Sequence, residues 1–162
     1  CASVEELAEL RRRVRYMGIP IAADESVRKA DDPLAVARAG AADLLVIKAQ
    51  PLGGVRRALA LVAEAGLPAV VSSALDTSVG LSMGVALAAA LPELDFDCGL
   101  GTASLFAADV ASPALRPVSG ELATGRVAVD RDAVTALAPS ADRQQWWRER
   151  LERCHAVLAR QR

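Results

Sequence analysis

Two short apolar runs, residues 19–24 (IPIAAD) and 43–48 (DLLVIK), decide the fold, and each ends in a charged side chain. A third run, residues 67–74 (LPAVVSSA), and a fourth, residues 94–101 (LDFDCGLG), follow along the chain. All four are apolar on both faces and are separated by segments with helical periodicity. This pattern is typical of parallel strands joined by right-handed crossovers.

Helices are predicted between these strands, because capping residues precede the intervening segments and glycines follow several of them. Beyond the fourth unit, the stretch 113–129 is rich in proline, glycine and valine and predicts irregular chain with one or two short strands around Gly120 and Gly125. The predicted helices are residues 3–16, 32–40, 52–65, 77–91, 102–110 and a terminal helix at 141–160.

The spacing of three strand ends favours a barrel. Asp24, Lys48 and Ser72 lie 24 residues apart, each at the C-terminal end of its strand, which is the end that carries the chemistry in a (β/α)8 barrel. No G-x-G-x-x-G follows the first strand, so a dinucleotide-binding fold has little support. A full barrel needs about 250 residues, whereas this chain has 162. We therefore predict an α/β fold with half of a TIM-type barrel, and a small complete sheet is the alternative.

Charge and cysteine content exclude several classes of function. The 19 basic and 20 acidic residues nearly cancel, which gives no electrostatic case for binding nucleic acid or a membrane surface. Every apolar run is interrupted by Arg, Asp, Glu or Pro, so no membrane span is predicted. The three cysteines form neither a C-x-x-C pair nor a zinc-finger spacing. A cytoplasmic protein is the simplest expectation.

Lys48 is unusual because the chain otherwise uses arginine as its cation. Lys29 and Lys48 are the two lysines among 19 basic residues. A lysine can lose its proton when it is desolvated, whereas an arginine in practice cannot. At the end of an apolar strand, Lys48 could act as a base, as an acid or as an electrostatic clamp on an enolate. The alternative is a lysine that extends to solvent from a strand end, and Lys29 falls in a polar turn without an assigned role.

Asp24 and Glu25 are adjacent carboxylates directly after an apolar strand, a costly position unless something binds them. Asp24 has the strand parity of Ala22 and is therefore predicted to face the barrel axis, where it could ligate a hard cation. Glu25 would point aside and could pair with a neighbouring cation. The alternative is that one of the two caps the next helix.

Hydroxyls and glycines mark the ends of the third and fourth strands. Ser72 and Ser73 could bind a carboxylate or could satisfy the strand end. Gly99 and Gly101 open the backbone before a helix that Thr102 is predicted to cap. The start of that helix could bind an anion, and an ordinary βα turn is the alternative.

Together these motifs resemble a known family. Ala-Ala-Asp24-Glu25-Ser26 and Val-Ile-Lys48-Ala-Gln-Pro-Leu-Gly-Gly are similar to strands five and six of the muconate-lactonizing subgroup of the enolase superfamily. The stretches 71–80 (VSSALDTSVG) and 97–102 (DCGLGT) resemble the o-succinylbenzoate synthases of actinobacterial type. The resemblance covers residues 3–130.

The resemblance implies the C-terminal half of the barrel, strands 5–8, and proton abstraction next to a carboxylate with Mg²⁺ as the cofactor. The implied reaction is dehydration of 2-succinyl-6-hydroxy-2,4-cyclohexadiene-1-carboxylate to o-succinylbenzoate, in menaquinone biosynthesis, via an enediolate. Its implied site residues are Asp24 as a metal ligand, Glu25 beside it as a partner of Lys48, Lys48 as the lysine that stabilises the enolate, and Ser72, Ser73, Gly99 and Gly101 around the succinyl carboxylate.

The family's strand-two lysines and two further metal ligands have no counterpart in this sequence. We therefore expect a missing N-terminal half of the same enzyme as the partner, and no activity from these residues alone. The expected domains are residues 1–112, four βα units of the barrel, and residues 113–162, an extension that packs on the barrel or cap. Three other functions stay open: a racemase or epimerase of N-acylamino acids or dipeptides, a muconate-type cycloisomerase, and a non-enzymatic half-barrel that binds an anion.

Overall fold

The computed structural model describes residues 1–28 and 32–160, so the turn predicted around Lys29 lies outside the described residues. The chain divides into two compact units, Cys1–Val129 and Asp130–Arg162. The expected domains at 1–112 and 113–162 stay predictions.

A parallel sheet forms the centre of the first unit. Its strands are β1 (Ala22–Ala23), β2 (Leu44–Ile47) and β3 (Ala69–Val71), in the order β1-β2-β3. Both strand pairs are parallel, which confirms the predicted α/β class. Parallel pairing follows because each crossover contains helical segments that return the chain to the same end of the sheet.

The fourth strand is much shorter than predicted. Of residues 94–101, Gly99 alone joins the sheet, through an isolated parallel bridge to Ser72. Phe96 is flanked by two aspartates and is 40 % exposed. In a strand, Leu94 and Phe96 would share one face and the two aspartates the other, so the segment is not apolar on both faces as a buried parallel strand requires.

The two faces of the sheet differ in burial. Ala22, Leu44, Val46 and Val70 share one face through the strand register, and all of them except Leu44 are exposed or half-buried. Two helices cover part of the sheet: Glu25–Arg28 contacts β2, and Ser78–Ala90 contacts β3. A doubly wound sheet buries both faces under helices, so one covered face and one open apolar face indicate a half-barrel. The residues of the covered face are all buried: Ala23, Leu45, Ile47, Ala69 and Val71.

The helices largely follow the predicted order. The second of them was not predicted, and it begins directly after β1. The α-helices are α1 (Val4–Val14), α2 (Glu25–Arg28), α3 (Ala35–Arg38), α4 (Val55–Ala65), α5 (Ser78–Ala90), α6 (Arg131–Ala136) and α7 (Ala141–Arg160). Two 3₁₀ helices cover Arg15–Met17 and Thr102–Leu105.

Local signals set the ends of several helices. The Ser3 side chain accepts a hydrogen bond from the Glu6 amide at 3.2 Å, which begins α1 as predicted. Gly66 ends α4 in the left-handed conformation, with φ 62°. Helix α4 begins at Val55, three residues later than predicted, because Gly53 and Gly54 both have positive φ and form a turn. Helix α3 spans Ala35–Arg38 and is also shorter than predicted.

The helix predicted at residues 102–110 is wrong beyond its first turn, because the 3₁₀ helix ends at Leu105. Asp109 instead caps α5. Its carboxylate accepts from the Ser78 amide, at 3.0 Å, and from the Ser78 hydroxyl, at 2.8 Å. The wholly buried Ser78 hydroxyl in turn accepts from the Leu115 amide at 2.7 Å. These bonds commit the chain after Leu105 to the start of α5 rather than to a continuing helix.

The segment after Ser112 contains one tight antiparallel turn. Val118 and Glu121 exchange backbone hydrogen bonds of 2.9 and 3.0 Å. The two residues between them, Ser119 and Gly120, both have positive φ, as a two-residue hairpin turn requires. The short strands expected around Gly120 therefore consist of this single bridge.

The second unit contains α6 and α7. Helix α6 was not predicted, although Asp130 provides a signal for it: its side chain accepts from the amides of Asp132 and Ala133 at 3.0 Å each. Helix α7 has the predicted bounds, and Trp146 and Trp147 meet edge to face on it with 4.7 Å between ring centroids. Among the helices of the described residues, none is both long and apolar enough to cross a membrane.

Candidate active site

The strand ends meet at one edge of the sheet. Val46 and Ile47 pair with Val70 and Val71, so Lys48 is level with Ser72 in the next strand. Ser72 is in turn bridged to Gly99. Asp24 follows β1 with the same parity as Ala22, as predicted. Three segments that are distant in sequence therefore bring polar side chains to one edge, where a fourth joins through the Gly99 backbone, as at the functional end of barrel folds.

Lys48 and Asp24 form a direct ion pair at this edge. The Lys48 Nζ lies 2.6 Å from Asp24 Oδ1 and 2.5 Å from Asp24 Oδ2. The Lys48 side chain is 8 % exposed, whereas the Asp24 side chain is 32 % exposed. A buried ammonium needs such a partner, because burial of an unpaired charge is costly. The pair is held at the strand end, with its carboxylate on the more open side.

Glu25 pairs with Arg28 rather than with Lys48, so its expected partner is wrong. Arg28 Nη2 lies 2.5 Å from Glu25 Oε1, and Arg28 Nε lies 3.2 Å from Asp24 Oδ1. The hydrogen bond from Arg28 holds the pKa of Glu25 below its ordinary value, and Lys48 contributes the smallest of the lowering effects. Glu25 also raises the pKa of Arg28.

Arg28 was not predicted as a residue of this site, although its position in the sequence indicates the contact. Arg28 stands three residues after Glu25 and four after Asp24, the spacing at which side chains meet on one helix face. Because α2 begins directly at Glu25, this spacing applies. Asp24 therefore lies between two cations, Lys48 and Arg28.

These residues offer one ligand to a divalent cation. Within residues 1–28 and 32–160, no three His, Cys, Asp or Glu side chains gather as a metal site. Mg²⁺ prefers about six oxygen ligands in proteins. Asp24 fits as one of them, since its carboxylate is partly open at the strand end. The remaining ligands would come from elsewhere.

A hydroxyl cluster surrounds the Gly99 carbonyl beside the ion pair. The carbonyl accepts from the Ser73 amide at 3.1 Å, from the Ser73 hydroxyl at 3.1 Å and from the Ser72 hydroxyl at 3.3 Å. The Ser73 and Thr102 hydroxyls lie 2.8 Å apart. Ser73 is buried and Ser72 is half-buried, so Ser72 is the more accessible of the two serines. Thr102 was identified from the sequence as a helix cap and not as a member of this cluster.

Gly99 and Gly101 have different surroundings. A Cβ on Gly99 would lie 2.9 Å from the Ser72 Oγ, so a side chain at position 99 would crowd the Ser72 hydroxyl. Gly101 lines an open pocket of about 610 Å³ between α5 and the 118–121 turn, together with Cys98 and Leu122. Asp24, Lys48 and Ser72 are not among the residues that line this pocket. The predicted helix start at Thr102 is a single 3₁₀ turn.

A parallel half-sheet whose strand ends carry a lysine–aspartate pair is the arrangement expected at the functional end of a TIM barrel. Residues 1–129 match the family model described as Enolase C-terminal domain-like. The chain therefore belongs to the enolase C-terminal domain-like family, and its fold is the C-terminal half of that barrel.

Individual relatives are similar over most of the chain. The o-succinylbenzoate synthase of Mycobacterium ulcerans (strain Agy99) is 55 % identical over 160 residues, which are 99 % of this chain and 48 % of that protein. Of solved structures, 2-chloromuconate cycloisomerase from Rhodococcus opacus 1CP has a TM-score of 0.69 with 27 % identity, covering 85 % of this chain and 39 % of its own. A probable mandelate racemase from Alicyclobacillus acidocaldarius has a TM-score of 0.68 with 32 % identity, covering 86 % and 38 %.

The chain spans about half the length of the curated relatives it matches.

Proposed function

We propose that the complete protein is a magnesium-dependent o-succinylbenzoate synthase and that this chain supplies half of its active site. The reaction is dehydration of 2-succinyl-6-hydroxy-2,4-cyclohexadiene-1-carboxylate, a step of menaquinone biosynthesis. The observation that carries the proposal is the Lys48–Asp24 pair at the strand ends, in a chain that is 55 % identical to a synthase over 160 residues.

Lys48 would stabilise the negative charge that develops when the substrate loses the proton next to its carboxylate. Its ammonium is compact, almost fully buried and already aimed at the strand-end edge. In such an environment a fixed positive charge interacts with a developing anion much more strongly than it does in water. The proton itself would go to a base outside these residues, which the family resemblance places on strand two.

Asp24 would hold the metal through its partly open carboxylate, and Arg28 would keep that carboxylate oriented from the opposite side to Lys48. A bound Mg²⁺ would supply Lewis-acid stabilisation of charge on the substrate carboxylate. Arg28 would also balance the charge of Glu25, which it contacts directly.

The succinyl carboxylate would bind at the hydroxyl cluster. Ser72 is half-buried at the edge and has a hydroxyl that can donate. Gly99 supports this contact by leaving space for the Ser72 Oγ. The buried Ser73 supports the wall of the cluster through its bonds to Gly99 and Thr102, and Gly101 would contribute from the loop that follows.

A racemase is the second candidate, favoured by the 32 % identity to the probable mandelate racemase. In that case Lys48 would act as one of two bases on opposite faces of the substrate. The same ion pair serves either chemistry, because both begin with removal of a proton next to a carboxylate.

The test is a substrate panel with the purified complete protein at saturating Mg²⁺. We expect dehydration of the cyclohexadiene carboxylate, loss of turnover in EDTA and recovery when Mg²⁺ is added back. Racemisation of N-acylamino acids without dehydration would replace the proposal with the second candidate. Cyclisation of muconate, or turnover undiminished in EDTA, would contradict both.

A further inference from the structure

The side chain of Gln50 ties the turn after Lys48 to the neighbouring helix. Its Nε2 donates to the Gly80 carbonyl at 2.9 Å. Gln50 stands two residues after Lys48, and Gly80 lies in the first turn of α5, which follows the segment with Ser72. One hydrogen bond therefore joins the strand end that carries the lysine to the helix that follows the hydroxyl cluster.

The turn itself is closed by backbone hydrogen bonds. The Gly53 amide donates to the Gln50 carbonyl at 3.1 Å, and the Gly54 amide donates to the Ala49 carbonyl at 2.8 Å. Both glycines have positive φ, 87° and 112°, which favours glycine at these positions. The backbone at Gln50 is therefore fixed by the turn, and the amide of its side chain connects this turn to α5.

The contact between Gln50 and α5 depends on the missing side chain of Gly80. A Cβ on Gly80 would lie 3.0 Å from the Gln50 Nε2 and 3.1 Å from the Asp76 Oδ1. Both separations are shorter than ordinary contacts between such atoms. Because Gly80 has no side chain, the Gln50 side-chain amide can reach the Gly80 carbonyl. This close packing is evidence that is independent of the hydrogen bond.

We propose that Gln50 is a positioning residue, which holds the Lys48 strand end in register with the Ser72 strand end during turnover. The proposal rests on the proposed function, since it assigns Lys48 and Ser72 to one substrate. A small displacement of a reacting group can cost about a hundredfold in rate. Lys48 is attached to the turn that Gln50 anchors, so its ammonium would be displaced when the anchor is lost.

The test compares kcat and KM of the complete protein with those of two variants. We expect Gln50→Ala to lower kcat by about tenfold or more while KM changes by about twofold or less, because transition-state alignment suffers more than binding. Gln50→Glu should be at least as slow, because an ionised carboxylate has no proton to donate to the Gly80 carbonyl. Gln144→Ala is the matched control, since its amide also donates to a backbone carbonyl, that of Pro139 at 2.8 Å.

A second measurement needs no substrate. Amide hydrogen exchange of the complete protein should become faster at Gly53 and Gly54 in Gln50→Ala, and exchange within α1 should not change.

Gly80→Ala should reduce kcat in the wild-type background and should reduce it less in the Gln50→Ala background, because the Cβ then no longer displaces the amide.

The two measurements separate the proposals. If wild type fails to dehydrate the substrate, the proposed function fails, and the exchange result alone decides whether Gln50 anchors the turn. If wild type is active but Gln50→Ala slows kcat no more than Gln144→Ala does, Gln50 is not a positioning residue. Unchanged exchange at Gly53 and Gly54 would also overturn the inference.

Discussion

At the scale of single residues, the proposed stabilisation of the substrate anion by Lys48 depends on the shape of its ammonium group as well as on its charge. We expect Lys48→Arg in the complete protein to lower kcat by at least about a hundredfold, equivalent to about 2.7 kcal/mol of transition-state stabilisation. A guanidinium is larger and flat, and it would displace substrate from the space that the ammonium occupies. Steady-state dehydration rates provide the measurement, with Arg56→Lys on α4 as the control.

The same variant separates the two candidate chemistries. In a racemase, Lys48→Arg should still exchange the α-proton of one enantiomer through the opposite base. In a synthase, dehydration should be lost without such one-sided exchange. Retention of more than about a tenth of the wild-type rate would leave Lys48 with less than about 1.4 kcal/mol of effect, too little for either role.

Asp24 gives a prediction about metal affinity. Asp24→Asn removes a charged oxygen ligand and leaves the Lys48 ammonium without its carboxylate partner. We expect the Mg²⁺ concentration at half-maximal activity to rise by about tenfold or more, since loss of an anionic ligand weakens binding of a hard cation. Titration of activity with Mg²⁺, alongside direct calorimetric binding, measures the change. Equal Mg²⁺ dependence in this variant and in the exposed-site control Asp95→Asn would show that Asp24 is not a ligand.

The sequence predicted that Asp24 and Lys48 lie at the same end of the barrel, because the equal spacing of strand ends depends on regular backbone geometry. It did not predict the Glu25–Arg28 pair. That pair depends on α2 beginning at Glu25, where the amides of Val27 and Arg28 donate to the Asp24 carbonyl. The spacing that indicates this pair applies only when a helix begins at Glu25, and no helix was predicted between residues 16 and 32.

At the scale of elements, α5 packs closely on the segment that contains the reduced fourth strand. A Cβ on Gly84 would lie 2.7 Å from the Leu100 Cδ2. We expect Gly84→Ala to lower the free energy of unfolding by about 1 to 2 kcal/mol, because overpacking outweighs the gain of about 1 kcal/mol in helix propensity. Ala86→Gly, at an exposed position of the same helix, measures propensity alone. A stabilised Gly84→Ala would show that the two elements are not in close contact.

Helix α1 is fixed to the sheet by a charged hydrogen-bond cluster. Asp43 accepts from Arg11 Nε at 2.9 Å and from the Ile21 amide at 2.8 Å. These bonds, the one from Arg11 foremost, hold the pKa of Asp43 below its ordinary value of 3.8. A lowered folded-state pKa stabilises the protein above the unfolded pKa, and that contribution is lost as the pH falls through the folded pKa.

We therefore expect Asp43→Asn to reduce the free energy of unfolding by about 1 to 2 kcal/mol at pH 7. This is below the usual range of about 1.5 to 3 kcal/mol for hydrogen bonds with a charged partner, because the Arg11 and Asp43 side chains are each 32 % exposed. The difference from wild type should shrink as the pH falls below about 4. Denaturant unfolding at pH 7 and at acidic pH measures both effects. A difference that grows on acidification would contradict the assigned role of Asp43.

The short fourth strand and the short helix after it show what the sequence could not predict at this scale. The apolar character of Leu94 and Phe96 favoured a strand, but burial requires a partner on each side. The helix predicted through Val110 failed because Asp109 caps α5 instead, a contact across 31 residues of sequence. Local propensity carries no information about such a distant competitor.

At the scale of the whole molecule, the chain has one covered and one open sheet face, and its described residues gather no three His, Cys, Asp or Glu side chains that could hold a metal ion. These features agree with a chain that spans about half the length of its curated relatives. We therefore propose that the complete protein is the active enzyme and that this chain supplies only some of its site residues.

The most direct measurement of that claim is the dehydration rate of the 162-residue chain beside that of the complete protein, at equal molar concentration and saturating Mg²⁺. We expect the complete protein to form o-succinylbenzoate in the presence of Mg²⁺, and the chain alone to form none above the uncatalysed rate. A complete protein that forms no o-succinylbenzoate, or a chain that forms it alone, would contradict the proposed function.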